Sequence, residues 1–325
     1  MPTTYNTLYL NRKTIEDIAL PMAKIIEVVE SALVEKAHGR VQMPAKHWME
    51  RDPNRWFGGM SSIVPKVGYT AMKWQSGSNE NYERGLPYLT GMLFLNSLKE
   101  GTISAIMDST WITQQRTAAA SAVAIKHLAR KGSTSYSILG SGVQGFSHFE
   151  ALRLVLPDLK TVHIYDVNPE AADRFARFVR ESGFEAEILT SARAAVDASD
   201  IFITSGRIAP DIVGEVEADW LHPGHTAVAI DYDCYFNTNA LHAADRLLTD
   251  DFGQIEHIKE YGYFVDCPKP DAEIGSVVAG LAPGRENPDD KLLVFNMGVA
   301  VEDVATAKEI FEIAKARNLG QVLEA

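Results

Sequence analysis

Six residues, Gly140-Ser141-Gly142-Val143-Gln144-Gly145, have the spacing G-x-G-x-x-G, which suits a turn that must bring backbone up to a diphosphate. Gly140 allows the tight turn, Gly142 lets the pyrophosphate reach the main chain, and Gly145 permits close packing of a helix on a strand. The helix that begins with Val143 and Gln144 then offers N–H groups and positive potential to an anion. Asp166 follows Gly145 by 21 residues. A carboxylate there accepts hydrogen bonds from a free ribose 2′-OH and repels a 2′-phosphate, and Val167-Asn168-Pro169 supplies no cation to hold one, so the expected cofactor is NAD rather than NADP. Thr204-Ser205-Gly206, after a later strand, is a further place for cofactor contact, with an ordinary turn as its alternative.

Other chemistry-bearing residues are scattered. Arg116 opens the alanine-rich run Thr117-Ala118-Ala119-Ala120, where a cation faces the positive end of a helix. A bound carboxylate, held jointly by guanidinium and helix terminus, reverses that cost, and pairing with Asp108 is the alternative. In Tyr69-Thr70-Ala71-Met72-Lys73-Trp74, alternation sets Lys73 on one face with Tyr69 and Ala71, and either face can be the solvated one. Lys46 and His47, with Arg40, Arg51 and Arg55, form a cationic stretch whose alternative is a solvated surface. Asp231 and Asp233 follow the apolar Ala227–Ile230, at the strand end where open α/β sheets bind ligands. His222, His225 and Cys234 lie nearby, but no metal-binding spacing, P-loop or nucleophile elbow occurs, so no metal is expected.

The elements that must position these groups are legible from Ser135 onward. Ser135–Leu139 reads as a buried strand and Val143–Leu156 as a helix. Thr161–Tyr165 is a second strand, and Asn168-Pro169-Glu170 a helix start stopped by Gly183. Ala186–Leu189, Ile201–Thr204, Ala227–Ile230, Arg246–Thr249 and Leu292–Phe295 continue as strands. Apolar strands alternating with helices imply an α/β fold with a Rossmann-type doubly wound parallel sheet. The preceding part has another grain: Ile15–Ala37 is amphipathic and helical, Trp56–Lys73 strand-like. A helix over Thr117–Ala129 leads into the β/α domain, and another over Val301–Arg317 follows the last strand, Leu292–Phe295.

Composition agrees with a chain of about two domains. Of 325 residues, 46% are hydrophobic, and Lys+Arg of 31 against Asp+Glu of 43 leaves a net charge of −12. That sign argues against nucleic acid and anionic membranes. Two cysteines, Cys234 and Cys267, are too few for a disulfide framework, and neither a signal peptide nor a membrane-length apolar run is present, so a cytoplasmic protein is expected.

These residues together resemble the ornithine cyclodeaminase/μ-crystallin family, along nearly the whole chain. The likeness runs from Met43-Pro44-Ala45-Lys46 through Gly85-Leu86-Pro87, Gln115-Arg116-Thr117-Ala118-Ala119-Ala120-Ser121-Ala122 and the glycine motif to Pro283-Gly284-Arg285-Glu286 and Gly298-Val299-Ala300-Val301-Glu302-Asp303. The resemblance implies a Rossmann domain (129–300) beside a discontinuous α+β substrate and dimerisation domain (1–128 with 301–325), in a homodimer. It makes Arg116 the α-carboxylate ligand, Lys73 the active-site lysine and Asp233 the catalytic aspartate. Asp233 belongs to a motif that usually continues D-x-P-G-K and here continues Tyr235-Phe236-Asn237, which keeps Asp231 as an alternative in register. Lys46 stands where many members carry a second carboxylate-binding arginine, and His47 adds to the substrate-binding cations.

The implied activity is NAD(H)-dependent oxidoreduction at a C–N bond, reducing a small α-imino acid to the L-amino acid or the reverse. Trp56–Ser61 lacks the acid that ornithine-deaminating members carry, and the cationic stretch favours a dicarboxylic substrate, iminosuccinate giving L-aspartate. The alternatives are a cyclodeaminase, an alanine dehydrogenase or cyclic ketimine reductase, and a μ-crystallin-like binder without turnover.

Overall fold

The computed structural model describes residues 4–52, 55–209 and 212–324. In chain order the first elements are β1 (Asn6–Leu10), α1 (Arg12–Ile18), α2 (Met22–Ala37), β2 (His47–Asp52), β3 (Arg55–Val64), β4 (Tyr69–Ser78), β5 (Leu89–Ser97), β6 (Ile103–Asp108) and α3 (Thr110–Leu128). Then come β7 (Ser135–Leu139), α4 (Val143–Val155), β8 (Thr161–Tyr165), α5 (Pro169–Glu181), β9 (Glu185–Ile188), α6 (Ala192–Asp197), β10 (Ile201–Thr204) and β11 (Thr226–Ala229). The last are α7 (Thr238–Ala243), β12 (Arg246–Thr249), α8 (Phe252–Ile258), β13 (Ala272–Glu273), α9 (Ile274–Val278), β14 (Leu292–Phe295), α10 (Ala300–Ala316) and β15 (Gln321–Glu324).

These elements form two compact units, one of Met1–Arg116 with Val299–Ala325 and one of Thr117–Gly298. Among the described residues the second unit carries an eight-stranded sheet in the order β13-β12-β14-β11-β10-β7-β8-β9, with every pairing parallel. Strand order reverses at β7, whose neighbours are β8 on one side and β10 on the other, so a ligand crevice is expected at the carboxyl ends of β7 and β10. The central strands β10, β11 and β14 are buried throughout because both faces of the sheet are covered there. Asn168 caps α5 by accepting from the N–H groups of Glu170 and Ala171, with Pro169 in the first turn, as its sequence foretold.

Among the described residues the first unit is built on a seven-stranded sheet, β15-β1-β6-β5-β4-β3-β2. All its pairs are antiparallel except β1 with β6. Helix α10 packs on α2 and on β3 and β4, covering one face. Ala71, Lys73 and Gln75 lie on the buried face of β4, while Met72 and Trp74 are exposed.

Two expected helices differ in extent. The stretch Ile15–Ala37 is two helices, because Ala19 adopts a left-handed φ of 52° and Pro21 caps α2. Proline fixes a new helix start and disfavours helix in the residue before it. Helix α3 begins seven residues earlier than the alanine run suggests, at Thr110: the Asp108 carboxylate accepts from the N–H groups of Thr110 (3.0 Å) and Trp111 (3.4 Å). The threonines and tryptophan of that first turn are poor helix formers, and the carboxylate cap offsets them.

Candidate functional site

Unit 2 presents a backbone cradle. Gly140 has φ +103°, and a Cβ there would lie 2.7 Å from the carbonyl oxygen of Ser205, so only glycine fits. Ser205 ties the two loops together: its N–H donates to Leu139 O (2.9 Å) and its hydroxyl to Gly140 O (2.6 Å). Gly142 is the N-cap of α4 and makes no side-chain capping bond; a Cβ on it would meet nothing within 4 Å. That open space beside the amides of Val143 and Gln144 is what a pyrophosphate requires. Val143 is exposed, and the Gln144 carbonyl accepts from the buried His148 ring. Gly145 departs from its expected role, since a Cβ there would touch Phe175 of α5 only at 3.7 Å, an ordinary contact.

Asp166, at the end of β8, accepts from the N–H (2.7 Å) and the hydroxyl (2.9 Å) of Ser141 and, through its other oxygen, from Asn168 N–H (2.8 Å). Val167 beside it is exposed. Thr204 ends β10 opposite Leu139 and Ser205 follows it, so every cofactor candidate lies at one end of the sheet. The residues present fit a dinucleotide with a free ribose.

Asp231 and Asp233 take different directions because Tyr232 between them has a left-handed φ of 62°, its ring packed on Tyr263 and Phe264. Asp231 is fully buried. It accepts from the Thr204 hydroxyl (2.5 Å) and Gly206 N–H (2.8 Å), and burial pushes its pKa up to about 7. It therefore braces the loop after β10. Asp233 accepts from Phe264 N–H (2.7 Å), and burial raises its pKa as well.

Unit 1 gathers a buried ionic array. Lys73 is 1% exposed, Arg116 4%, Glu302 0% and Asp303 1%. The Lys73 ammonium lies 2.7 Å from Asp303 Oδ2 and 2.9 Å from Oδ1, and donates to Thr113 Oγ1 (3.2 Å). Arg116 donates through Nε to Asp303 Oδ1 and through Nη1 to Glu302 Oε2, both at 3.1 Å. Gln75 donates to Thr113 Oγ1 (2.7 Å). Burial lowers the Lys73 pKa to about 7, against the pull of Asp303 and with the repulsion of Arg116 and Lys46. Lys46, itself buried, thus belongs to the same electrostatic neighbourhood.

Other expectations about these cations are corrected. Arg116 lies in the second turn of α3, not at its N-terminus, so the helix amides do not share its ligand; Glu302 and Asp303 meet its charge, and Asp108 is the cap of α3. His47 pairs with Gly59, and Gly59 with Trp74, which sets its side chain on the sheet face opposite Lys73. Arg40 pairs with Glu35, Arg55 with Glu80 and Asp52, and Arg51 is exposed. Of the cationic stretch, only Lys46 is brought near Lys73.

The acids of this array were not read as site residues from sequence. Their signal was available: Glu302 and Asp303 interrupt Ala300-Val301…Val304-Ala305, buried helix in which only paired acids are tolerated. Among the described residues no group of three or more His, Cys, Asp or Glu is placed to hold a metal, and no helix is long and apolar enough to cross a membrane.

Comparison with known proteins gives the chain its relatives. The family model for the ornithine cyclodeaminase/mu-crystallin family matches residues 6–318. The chain is 31% identical to the alanine dehydrogenase of Archaeoglobus fulgidus over 328 residues, covering 98% of each protein. It superposes with a TM-score of 0.86 on Thermococcus litoralis Delta(1)-pyrroline-2-carboxylate reductase in complex with NADH and L-proline, at 31% identity over 97% of this chain and 99% of that one. An archaeal alanine dehydrogenase dimer with bound NAD gives 0.87, also at 31% identity, over 98% of this chain and 99% of that one. The chain belongs to the ornithine cyclodeaminase/mu-crystallin family.

Proposed function

We propose that the protein is an NAD-dependent oxidoreductase that interconverts a small α-imino acid and the corresponding L-amino acid. The observation that carries this reading is the convergence of Lys73 and Arg116, 43 residues apart, on the single carboxylate of Asp303. A guanidinium suited to a substrate carboxylate and an ammonium of near-neutral pKa are what a C–N reduction needs from its protein. Bound NAD(H) supplies the hydride chemistry. Gly140, Gly142, Val143, Gln144 and Asp166 would hold its diphosphate and ribose, with Thr204 and Ser205 flanking them.

The roles of the chain's own groups follow. Arg116, with Lys46, binds the α-carboxylate. Lys73 polarises the imine and moves the proton at its nitrogen. Asp233 orients the substrate iminium, while Asp231 keeps the loop after β10 in place. The relatives are named for alanine and for pyrroline-2-carboxylate. Since the cations that favoured iminosuccinate do not gather, the preferred substrate has a small uncharged side chain. Phe57, Met72 and Trp74 expose an apolar sheet face suited to a second copy of the chain.

NADH oxidation with ammonia plus pyruvate, oxaloacetate, glyoxylate or 2-oxoglutarate, alongside pyrroline-2-carboxylate, tests the reading. Pyruvate or the cyclic imine leading by tenfold supports it, and oxaloacetate leading by that margin restores the dicarboxylate. Ammonia release from ornithine without net NADH change would make the enzyme a cyclodeaminase, and binding without any turnover a carrier.

A further inference from the structure

We propose that Asp303 is a positioning residue of this reaction: its carboxylate, shared between Lys73 and Arg116, fixes the proton-moving ammonium and the carboxylate-binding guanidinium in one array. The inference rests on the roles given above to those two cations. Both carboxylate oxygens lie within 2.9 Å of Lys73 Nζ, and Oδ1 also accepts from Arg116 Nε. Three elements distant in sequence, β4, α3 and α10, therefore meet at one side chain.

Asp303 is suited to that task by its own surroundings. It stands in the first turn of α10, where the helix dipole favours an ionised carboxylate. Glu302, its neighbour, accepts from Arg116 Nη1 and from Val299 N–H, so the guanidinium is gripped from two points and cannot swing. A purely structural purpose explains this poorly, because a buried ion pair can usually be replaced by apolar residues at no loss of stability.

Among the described residues, the charged groups that act most on Lys73 are Asp303 from α10, Arg116 from α3 and Lys46 just before β2; of these three, Asp303 favours the ammonium and the two cations oppose it. Its removal leaves two cations acting on a lysine already cut off from water. The form of Lys73 that can give a proton to the imine nitrogen, becoming a neutral amine, then survives only at lower pH.

The test is the pH profile of kcat for amine formation in Asp303→Asn and Asp303→Glu, with NADH affinity read by fluorescence titration and folding by thermal melting. Asp303→Asn is expected to bind NADH within about threefold of wild type while its alkaline limb moves down by at least one pH unit, a loss of about tenfold or more on that limb. Asp303→Glu, which keeps the charge, is expected to restore the limb with a lower kcat. An unmoved limb in a folded Asp303→Asn overturns the proposal, as does equal loss of NADH binding and turnover. Should Asp303→Asn not fold, wild-type kcat in Asp303→Glu overturns it and a lowered kcat with the limb in place supports it. Lys73→Met decides the underlying reading separately: full activity there refutes the role of Lys73 whatever Asp303 does.

Discussion

The carboxylate of Asp166 accepts from both the main-chain N–H and the hydroxyl of Ser141, at 2.7 and 2.9 Å, so the residue expected to choose the cofactor also shapes the loop that receives it. Wild-type enzyme should prefer NADH. Asp166→Ala combined with Val167→Arg should raise the NADPH-to-NADH ratio of kcat/KM by about tenfold or more, because a repulsive charge gives way to an attractive one. Weaker binding of both cofactors should accompany it as Ser141 loses its acceptor. A wild-type preference for NADPH would refute the assignment.

Arg116 distinguishes binding from folding. Arg116→Ala strips Glu302 and Asp303 of a buried partner and should cost roughly 3–5 kcal/mol of stability, visible in urea melts. Arg116→Lys keeps the charge but not the fork. It should remain folded and bind NADH normally, while kcat/KM falls about 10- to 150-fold, the worth of one charge-assisted hydrogen bond. Equal losses of NADH affinity and turnover in the lysine variant would show a structural residue.

Lys73 titrates near pH 7 in the folded chain and near 10.5 when unfolded. Within that window the unfolded chain binds a proton that the native one lacks, so stability should rise with pH from about 7 upward by roughly a few kcal/mol. Lys73→Met should abolish the rise. Amine formation, which uses the ammonium, should decline above about pH 7, and amino-acid oxidation, which uses the free amine, should increase across the same range.

Asp231 behaves oppositely. Its pKa is raised from 3.8 to about 7, so between these values the native state holds the extra proton and stability should fall as pH rises. Asp231→Asn keeps a partner for both Thr204 and Gly206 and should flatten the decline of Tm between pH 4 and 7. A melting curve of the variant as pH-dependent as the wild type over that interval would remove Asp231 as its source.

Sequence by itself determined the parallel sheet, the limits of seven of its strands to within a residue, the glycine-rich turn and Asp166, because those depend on contacts close along the chain: apolar runs, a capped helix start, a left-handed glycine; the two-residue edge strand β13 is too short to leave such a pattern. Family likeness named Lys73, Arg116 and Asp233. Tertiary structure decided what surrounds them. Alternation alone left the two faces of β4 equivalent, and only the packing of α10 on that sheet buries Lys73 and exposes Trp74. Likewise the partner of Arg116 is Asp303, 187 residues away, not the nearby Asp108. Buried charge must find its counter-ion wherever the fold brings one, and that pairing across distant segments leaves no trace in local periodicity.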